Sequence, residues 1–209
     1  MKKGTRIMLV GIWLVLFLIG CNGGGRKDDI VVVSREDGSG TRGAFTELFG
    51  LEEKDASGKK IDRTTDEAII VNSTSVVMTT VASNKNAIGY ISLGALNDAV
   101  KALRVDGVQA TAENIKNKSY KVFRPFNIAT KAETSALALD FTGFILSSNG
   151  QKVIEDHGYL GIGPGEPYRG TKPAGKIVVA GSSSITPVME KLKEAYLQLN
   201  PKAEIEIQL

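Results

Sequence analysis

Apolar and polar positions alternate along this chain in a pattern that predicts strands followed by helices. The run from Ile30 to Val33 is short and β-branched, which predicts a buried strand, and the segment from Ala44 to Phe49 has helical spacing. The segment 76–81 predicts a helix whose start is capped by the hydroxyl residues before it. Leu137 to Ile154 predicts an amphipathic helix that breaks near Ser147. Strands that alternate with helices predict an α/β fold.

Shorter patterns continue this alternation in the middle of the chain. The segments 86–94 and 100–105 predict strands, and 111–118 predicts a brief capped helix. The segment 121–130 predicts extended backbone, because Pro125 restricts the residue before it.

A second strand, turn and helix lie near the end of the sequence. Residues 176–180 predict a strand, 181–187 a hydroxyl-rich turn, 188–199 an amphipathic helix and 203–209 another strand. Ser183 is either the N-cap of that helix or part of an anion-binding turn.

The first residues have the pattern of an export signal. Basic residues precede the apolar run 7–19, which is too short to span a membrane comfortably and predicts a signal over residues 1–20. A small residue before Cys21 is typical of a bacterial lipoprotein cleavage site, after which Cys21 carries lipid. The alternative is an uncleaved short anchor. Residues 21–28 are a flexible tether by composition, and in either case the remainder is expected outside the cytoplasm.

Charge and cysteine content narrow the candidate functions. The chain has 26 basic and 23 acidic residues, and residues 1–20 hold three of the basic ones, so the remainder is neutral. A neutral body argues against nucleic-acid binding. Cys21 is the only cysteine and His157 the only histidine, which excludes an internal disulfide and a Cys/His metal cluster. We expect a solvated His157, no metal and no cofactor.

The segment 34–42 joins the first predicted strand to the first predicted helix. Gly38 and Gly40 allow a tight turn that can approach a ligand closely. Ser39 and Thr41 place hydroxyls at a helix start, where free N–H groups and the helix dipole favour negative charge. This inventory suits a tetrahedral oxyanion such as phosphate.

Arg35 adds a permanently charged, forked donor to the same segment. The alternative interpretation is an ordinary Asp-Gly turn with a hydroxyl N-cap, in which Arg35 and Arg42 lie on a wet surface. The segment matches neither a Walker A loop nor a dinucleotide-binding fingerprint.

The motif Arg-Glu-Asp-Gly-Ser-Gly-Thr that starts at Arg35 resembles the second-lobe anion loop of the phosphate-binding proteins that serve ABC phosphate importers. The resemblance implies that Arg35, Ser39, Gly40 and Thr41 bind phosphate. It also implies that Asp37 orients Arg35.

Three further segments carry the same resemblance. Ala-Ile-Gly-Tyr at 87–90 is similar to a strand of that family, and residues 146–154 are similar to its C-terminal end. Gly-Ser-Ser-Ser at 181–184 resembles the family's first-lobe loop, which implies that Ser183 and Ser184 also contact phosphate.

The resemblance implies a periplasmic-binding-protein-like α/β fold of type II, with one near-complete lobe and one partial lobe. Residues 29–123 would form the second lobe, while 124–160 and 176–209 would form part of the first, joined by a Gly/Pro linker at 161–175. Family segments thus occur in rearranged order, because the opening segment comes last.

The family's middle first-lobe portion, which carries a serine and an aspartate ligand, has no counterpart. We therefore expect weakened phosphate binding, or none until a partner chain completes the site. Three accounts remain open: a rearranged tandem cut at Leu209, a natural permutant and a degenerate remnant. The strand pattern at the last residues favours the first account.

The resemblance implies an extracytoplasmic, lipid-anchored phosphate-binding protein that is not an enzyme. Its expected partners are inorganic phosphate, the membrane permease of the importer and, through Cys21, the membrane. One alternative is an adhesion or scaffold lipoprotein that has lost the ligand. Another is a phosphate-ester hydrolase that uses Ser39 or Ser183, but no general base stands beside either residue in the sequence.

Overall fold

The computed structural model of the protein describes residues 29–208. The predicted signal peptide 1–20, the lipidation residue Cys21 and the tether 21–28 lie outside the described residues. Among the residues that are described, no helix combines the length and the apolar character needed to cross a bilayer.

The first half of the described chain is built on a sheet of three parallel strands. The middle strand contains the fully buried Val33, and its neighbours pair with it at Val33 to Ile69 and at Val31 to Ala87. In chain order the elements are β1 (Val31–Arg35), α1 (Gly40–Leu48), β2 (Glu52–Lys54), β3 (Lys60–Asp62), β4 (Ile69–Val71), α2 (Thr74–Ser83) and β5 (Ala87–Ile88). The antiparallel hairpin of β2 and β3 lies in the polar stretch between α1 and β4.

Both helices of this half begin where a strand of the sheet ends. Serine side chains cap them, since Ser39 accepts a hydrogen bond from the Arg42 amide at 3.4 Å and Ser73 accepts one from the Val76 amide at 3.3 Å. Because the strands are parallel, the two helix starts lie at the same edge of the sheet.

The middle of the chain contains less regular structure than the sequence predicted. A short 3₁₀ helix spans Leu93–Ala95, and α3 spans Ala112–Lys116 with the expected cap from Thr111. The prediction of a strand at 100–105 is wrong. Only a single bridge forms there, between Val105 and Val108. Within residues 29–208, Val100 and Val105 pair with no neighbouring strand, and pairing is what stabilises a strand.

The second half of the described chain contains the larger helices. Its elements are α4 (Ala136–Leu146), α5 (Ser148–Asp156), β6 (Gly175–Ala180), α6 (Thr186–Leu199) and β7 (Ala203–Gln208). Ser147 ends α4 and caps α5 through the Gly150 amide at 3.3 Å, which confirms the predicted break. β6 and β7 pair in parallel over six positions, with α6 as the crossover between them. The predicted α/β alternation is confirmed.

A contiguous apolar cluster holds the second half together. It forms where α4 and α5 pack against α6, and Phe144, Leu192 and Tyr196 are almost completely buried in it. Burying such side chains contributes about 1.5–3 kcal/mol each before the loss of conformational entropy. Its buried members are Leu137, Phe141, Phe144, Ile145, Tyr159, Val188, Met189, Leu192, Tyr196 and Ile205.

Hydrogen bonds to Asp140 hold the segment 161–175 against this apolar cluster. Its carboxylate accepts hydrogen bonds from the hydroxyls of Tyr168 and Tyr196 and, at 2.7 Å, from the amide of Thr171. Burial raises the pKa of Asp140, but these hydrogen bonds outweigh burial and leave the pKa below its ordinary value. Residues 161–174 contain no helix or strand, yet these bonds hold them against α4 and α6.

Tyr159 connects the second half to the 3₁₀ helix. Its buried hydroxyl donates to the Ser184 carbonyl at 2.8 Å. Its ring lies against Gly94 so closely that a Cβ added at Gly94 would be 2.2 Å from a ring carbon. Only glycine fits at position 94 without a shift of the ring.

We expect Asp140→Asn to lower the free energy of unfolding by about 1–3 kcal/mol near neutral pH, because hydrogen bonds to a charged acceptor are lost. A carboxyl whose folded-state pKa is lowered contributes stability above its unfolded pKa and loses it as pH falls through the folded value. The difference between the two proteins should therefore shrink below about pH 4 in urea titrations. Asp156→Asn, at an exposed ion pair with Lys152, is the control and should have little effect. If the difference in free energy of unfolding between the natural chain and Asp140→Asn stayed the same at acidic pH, this account would be contradicted.

Gly94→Ala is expected to destabilise the fold by about 1–3 kcal/mol, because the added methyl group displaces the buried Tyr159 ring. Gly143→Ala is the matched control. A Cβ at Gly143 meets nothing within 4 Å, and alanine favours a helix interior by about 0.5–1 kcal/mol. Thermal unfolding followed by circular dichroism should separate the two variants. Equal melting temperatures would show that the Tyr159 ring can shift without lowering the stability of the fold.

Candidate functional site

The starts of three helices meet at one position. The turn that precedes α6 contacts the first residue of α1 and the first residue of α2. Each of these helices has at least nine residues, and each presents free N–H groups and the positive end of its dipole at its start. Such a position favours a bound anion.

Arg35 lies at the centre of this arrangement and is only 2% exposed. Its Nε and Nη2 donate to the two carboxylate oxygens of Glu36, both at 2.7 Å. Its Nη1 donates to Thr74 Oγ1 at 3.3 Å, which directs that end of the guanidinium toward the start of α2. A buried cation needs such partners to offset the loss of hydration.

Thr74 and Ser183 join two distant parts of the chain. The Ser183 hydroxyl accepts a hydrogen bond from the Thr74 amide at 3.3 Å and lies 3.3 Å from the Thr74 hydroxyl. The N-cap of α6 is Ile185, which makes no side-chain cap bond. Ser183 is therefore not a simple N-cap, and its hydroxyl shares the Thr74 hydroxyl with Arg35 as a hydrogen-bond partner.

Ser182 and Ser184 complete the turn. Their hydroxyls lie 3.0 Å apart, and Ser184 is 2% exposed. A Cβ added at Gly40 would be 3.7 Å from the Ser182 Cβ, so the start of α1 approaches this turn closely. The structure thus places Gly40 and Ser184 around the same turn, although Ser184 forms no hydrogen bond with Arg35 within residues 29–208.

Ser39 and Thr41 flank the first residue of α1. Ser39 is 8% exposed and caps the helix, as the ordinary interpretation of this loop predicted. The Thr41 hydroxyl is buried and has no hydrogen-bond partner within the described part of the chain. A buried hydroxyl without a partner costs free energy, so a ligand or water is expected to satisfy it.

The structure corrects the predicted role of Asp37. Glu36, rather than Asp37, holds Arg35, whereas the Asp37 carboxylate is 2.9 Å from Arg42 Nη1 and almost fully exposed. The reason is positional. Arg35 is the last residue of β1, and its guanidinium lies within reach of the adjacent Glu36 side chain.

Arg42 is half-buried and stabilises the loop rather than lying free on the surface. It donates to the Arg35 carbonyl at 2.8 Å and to Asp62 at 2.7 Å. Burial lowers the pKa of Arg42, but the bond to Asp62 outweighs it and leaves the pKa raised. Arg42 therefore remains a cation that ties α1 to the end of β1.

Sequence reasoning missed two residues of the site. Thr74 was assigned to helix capping, which is correct for its neighbour Ser73 but leaves out the contacts of Thr74 with Arg35 and Ser183. Ser182 was not singled out from its turn. A second hydroxyl-rich helix start directly after a strand was the available signal for Thr74.

His157 is exposed at the end of α5, where its Nδ1 lies 2.8 Å from the Val153 carbonyl. This placement agrees with the predicted solvated histidine. Within residues 29–208, no cluster of histidine, cysteine and acidic side chains could hold a metal ion.

Known proteins match this chain over most of its length. The model of the PBP superfamily domain matches residues 10–149. The phosphate-binding protein PstS 2 of Streptococcus agalactiae is 49% identical over 215 residues, which cover 100% of this chain and 73% of that protein.

Solved structures agree in fold. A crystal structure of the phosphate-binding protein of a phosphate ABC transporter from Streptococcus pneumoniae has 47% identity and a TM-score of 0.67, covering 86% of this chain and 70% of that one. A substrate-binding protein from Clostridium perfringens, solved with bound phosphate, has 43% identity and a TM-score of 0.57, covering 64% and 52%.

These relatives confirm the predicted periplasmic-binding-protein-like α/β fold. They are substrate-binding proteins, so the expectation that the chain is not an enzyme is also confirmed. The chain belongs to the PstS-like phosphate-binding proteins of the PBP superfamily.

Proposed function

We propose that the protein binds inorganic phosphate where the starts of α1, α2 and α6 meet. The observation that carries this proposal is the hydrogen-bonded series of Arg35, Thr74 and Ser183. It places a buried cation and two hydroxyls beside helix N-termini. These are donors that suit a tetrahedral oxyanion.

The proposed ligand set extends the one expected from the sequence. In this proposal, backbone N–H groups of the loop and hydroxyls from both sides surround the anion, and the Thr41 hydroxyl, which is buried without a partner in the described residues, is one of the donors. Thr74 joins the set because it already bonds Arg35 and Ser183. The set is Arg35, Ser39, Gly40, Thr41, Thr74, Ser183 and Ser184.

We also propose the cellular setting of this binding. The protein is held to the outer side of the cell membrane through lipid on Cys21 and delivers phosphate to the permease of an ABC importer. The support is the N-terminal signal pattern together with the relatives, which are phosphate-binding proteins of such transporters.

Isothermal titration calorimetry of the full chain in detergent tests the phosphate proposal. We expect saturable heat with phosphate, with sulfate as a weak competitor. Arg35→Ala should weaken binding by about 10- to 100-fold, since a hydrogen bond to a charged group contributes about 1.5–3 kcal/mol. Ser183→Ala should weaken it by about fivefold, the effect of losing one neutral hydrogen bond.

Arg63→Ala is the matched control, because Arg63 forms an exposed ion pair with Glu53 outside the site. Its phosphate affinity should equal that of the natural chain. Absence of heat in the natural chain, or equal losses in both arginine variants, would contradict the proposed site.

Cys21→Ala tests the anchor. The variant should leave the membrane fraction of bacterial cells, because removal of the lipidated residue removes the buried acyl chains. Arg35→Ala is the control and should stay with the membrane. Membrane retention of Cys21→Ala would instead support the uncleaved apolar anchor.

A further inference from the structure

The backbone of Arg35 lies where β1 extends beyond its neighbour β5. The Glu36 amide donates to the Val71 carbonyl at 3.1 Å, on the β4 side of β1. Successive N–H groups along a pleated strand point to opposite edges, so the Arg35 amide points toward the β5 side. β5 ends at Ile88, whose partner in β1 is Val32, so this strand does not extend as far as Arg35. The buried Arg35 amide therefore needs an acceptor from elsewhere.

Tyr90, two residues beyond the end of β5, supplies this acceptor with its side chain. Its hydroxyl accepts a hydrogen bond from the Arg35 amide at 3.0 Å and lies 2.8 Å from the Ser34 hydroxyl. Ser34 is 1% exposed, so these groups meet inside the fold. A buried N–H without a partner would cost free energy, and the Tyr90 hydroxyl takes the place that a strand carbonyl would have in a longer sheet.

The other backbone group of Arg35 is also held by a side chain. Arg42 Nη1 donates to the Arg35 carbonyl at 2.8 Å. Side chains thus hold the Arg35 backbone from two sides, and this fixes the direction in which its own side chain leaves the strand. The guanidinium then reaches Thr74 Oγ1 at 3.3 Å, at the start of α2. The Tyr90 hydroxyl is therefore the first member of a series of contacts that ends at the proposed anion site.

The ring of Tyr90 contacts α1. It stacks on the Phe45 ring, with centroids 4.1 Å apart and ring planes 8° apart. Phe45 lies in the second turn of α1, and the first residue of that helix, Gly40, lies at the proposed anion site. Aromatic pairs of this kind stabilise a contact beyond the area that they bury. One side chain thus holds both the residue before the anion loop and the helix after it.

We propose that Tyr90 is a positioning residue for phosphate binding. Its hydroxyl sets the direction of Arg35 and its ring sets the start of α1, so that the guanidinium and the N–H groups of the helix are directed at the same anion. Tyr90 acts through these two partners rather than by contact with phosphate. This inference rests on the proposed phosphate binding and adds to the same site a residue outside its ligand set.

Tyr90→Phe keeps the ring and removes the hydroxyl, and it is tested by calorimetry of the full chain in detergent with inorganic phosphate. We expect phosphate affinity to fall by about fivefold, because the Arg35 amide loses its acceptor and the guanidinium loses its fixed direction. In an Arg35→Ala background, titrated to millimolar phosphate, the same substitution should change affinity by less than about twofold, since no guanidinium remains to be misdirected. A residue that only stabilised the fold would lower affinity equally in both backgrounds.

Tyr168→Phe is the matched control, because it also removes a tyrosine hydroxyl that is hydrogen-bonded in the natural chain, here to Asp140. Thermal unfolding should show a lower melting temperature for both tyrosine variants, whereas only Tyr90→Phe should lose phosphate affinity. If Tyr90→Phe does not fold, Ser34→Ala carries the comparison, because it removes the other hydroxyl of the pair. It should lower affinity by about twofold to threefold in the natural chain and leave affinity unchanged in the Arg35→Ala background.

The outcomes are distinct. If the natural chain and Tyr90→Phe bind phosphate equally, the role of Tyr90 is overturned while phosphate binding stands. The same loss of affinity in the Arg35→Ala background, or in Tyr168→Phe, would also overturn it. If the natural chain does not bind phosphate, the proposed function falls and this inference falls with it. A loss that requires both the Tyr90 substitution and an intact Arg35 would support the positioning role.

Discussion

The buried guanidinium of Arg35 is the constraint around which the site is organised. A cation removed from water is costly unless its polar groups find partners, and most of those of Arg35 do. The Tyr90 hydroxyl accepts from the Arg35 amide at 3.0 Å, and Arg42 donates to the Arg35 carbonyl. Glu36 and Thr74 accept hydrogen bonds from three of the five N–H groups of the side chain. The partners lie just after β1, on α1, on α2 and just after β5, so satisfying one arginine positions these parts of the chain relative to one another.

The described chain is stabilised by apolar packing in one part and by polar contacts in another. The second half depends on apolar packing between α4, α5 and α6, with a polar network at Asp140 that fixes the segment leading to β6. The contacts of that half with the starts of α1 and α2 are largely between hydroxyl groups. A site made this way leaves its donors available to an anion, because weak hydroxyl pairs exchange easily for stronger bonds to a charged ligand.

Much of the fold could be predicted from the sequence because it depends on near neighbours. The loop 34–42, the break at Ser147 and the final strand, helix and strand all follow from local spacing and capping. The contact of Thr74 with Ser183 could not be predicted this way, since the two residues are 109 positions apart. The pairing of Glu36, rather than Asp37, with Arg35 depends on where the guanidinium points, which residue order does not reveal.

The uneven placement of the apolar cluster has a consequence for local stability. Every buried member of the cluster lies between Leu137 and Ile205, whereas β4 and β5, which flank β1, have only three and two residues. We therefore expect amide hydrogens in α4 and α6 to exchange with solvent mainly through global unfolding, and those around β1 to exchange through smaller openings. A bound anion would stabilise the residues around β1, which open most readily. Binding at the site should therefore slow hydrogen exchange at these residues.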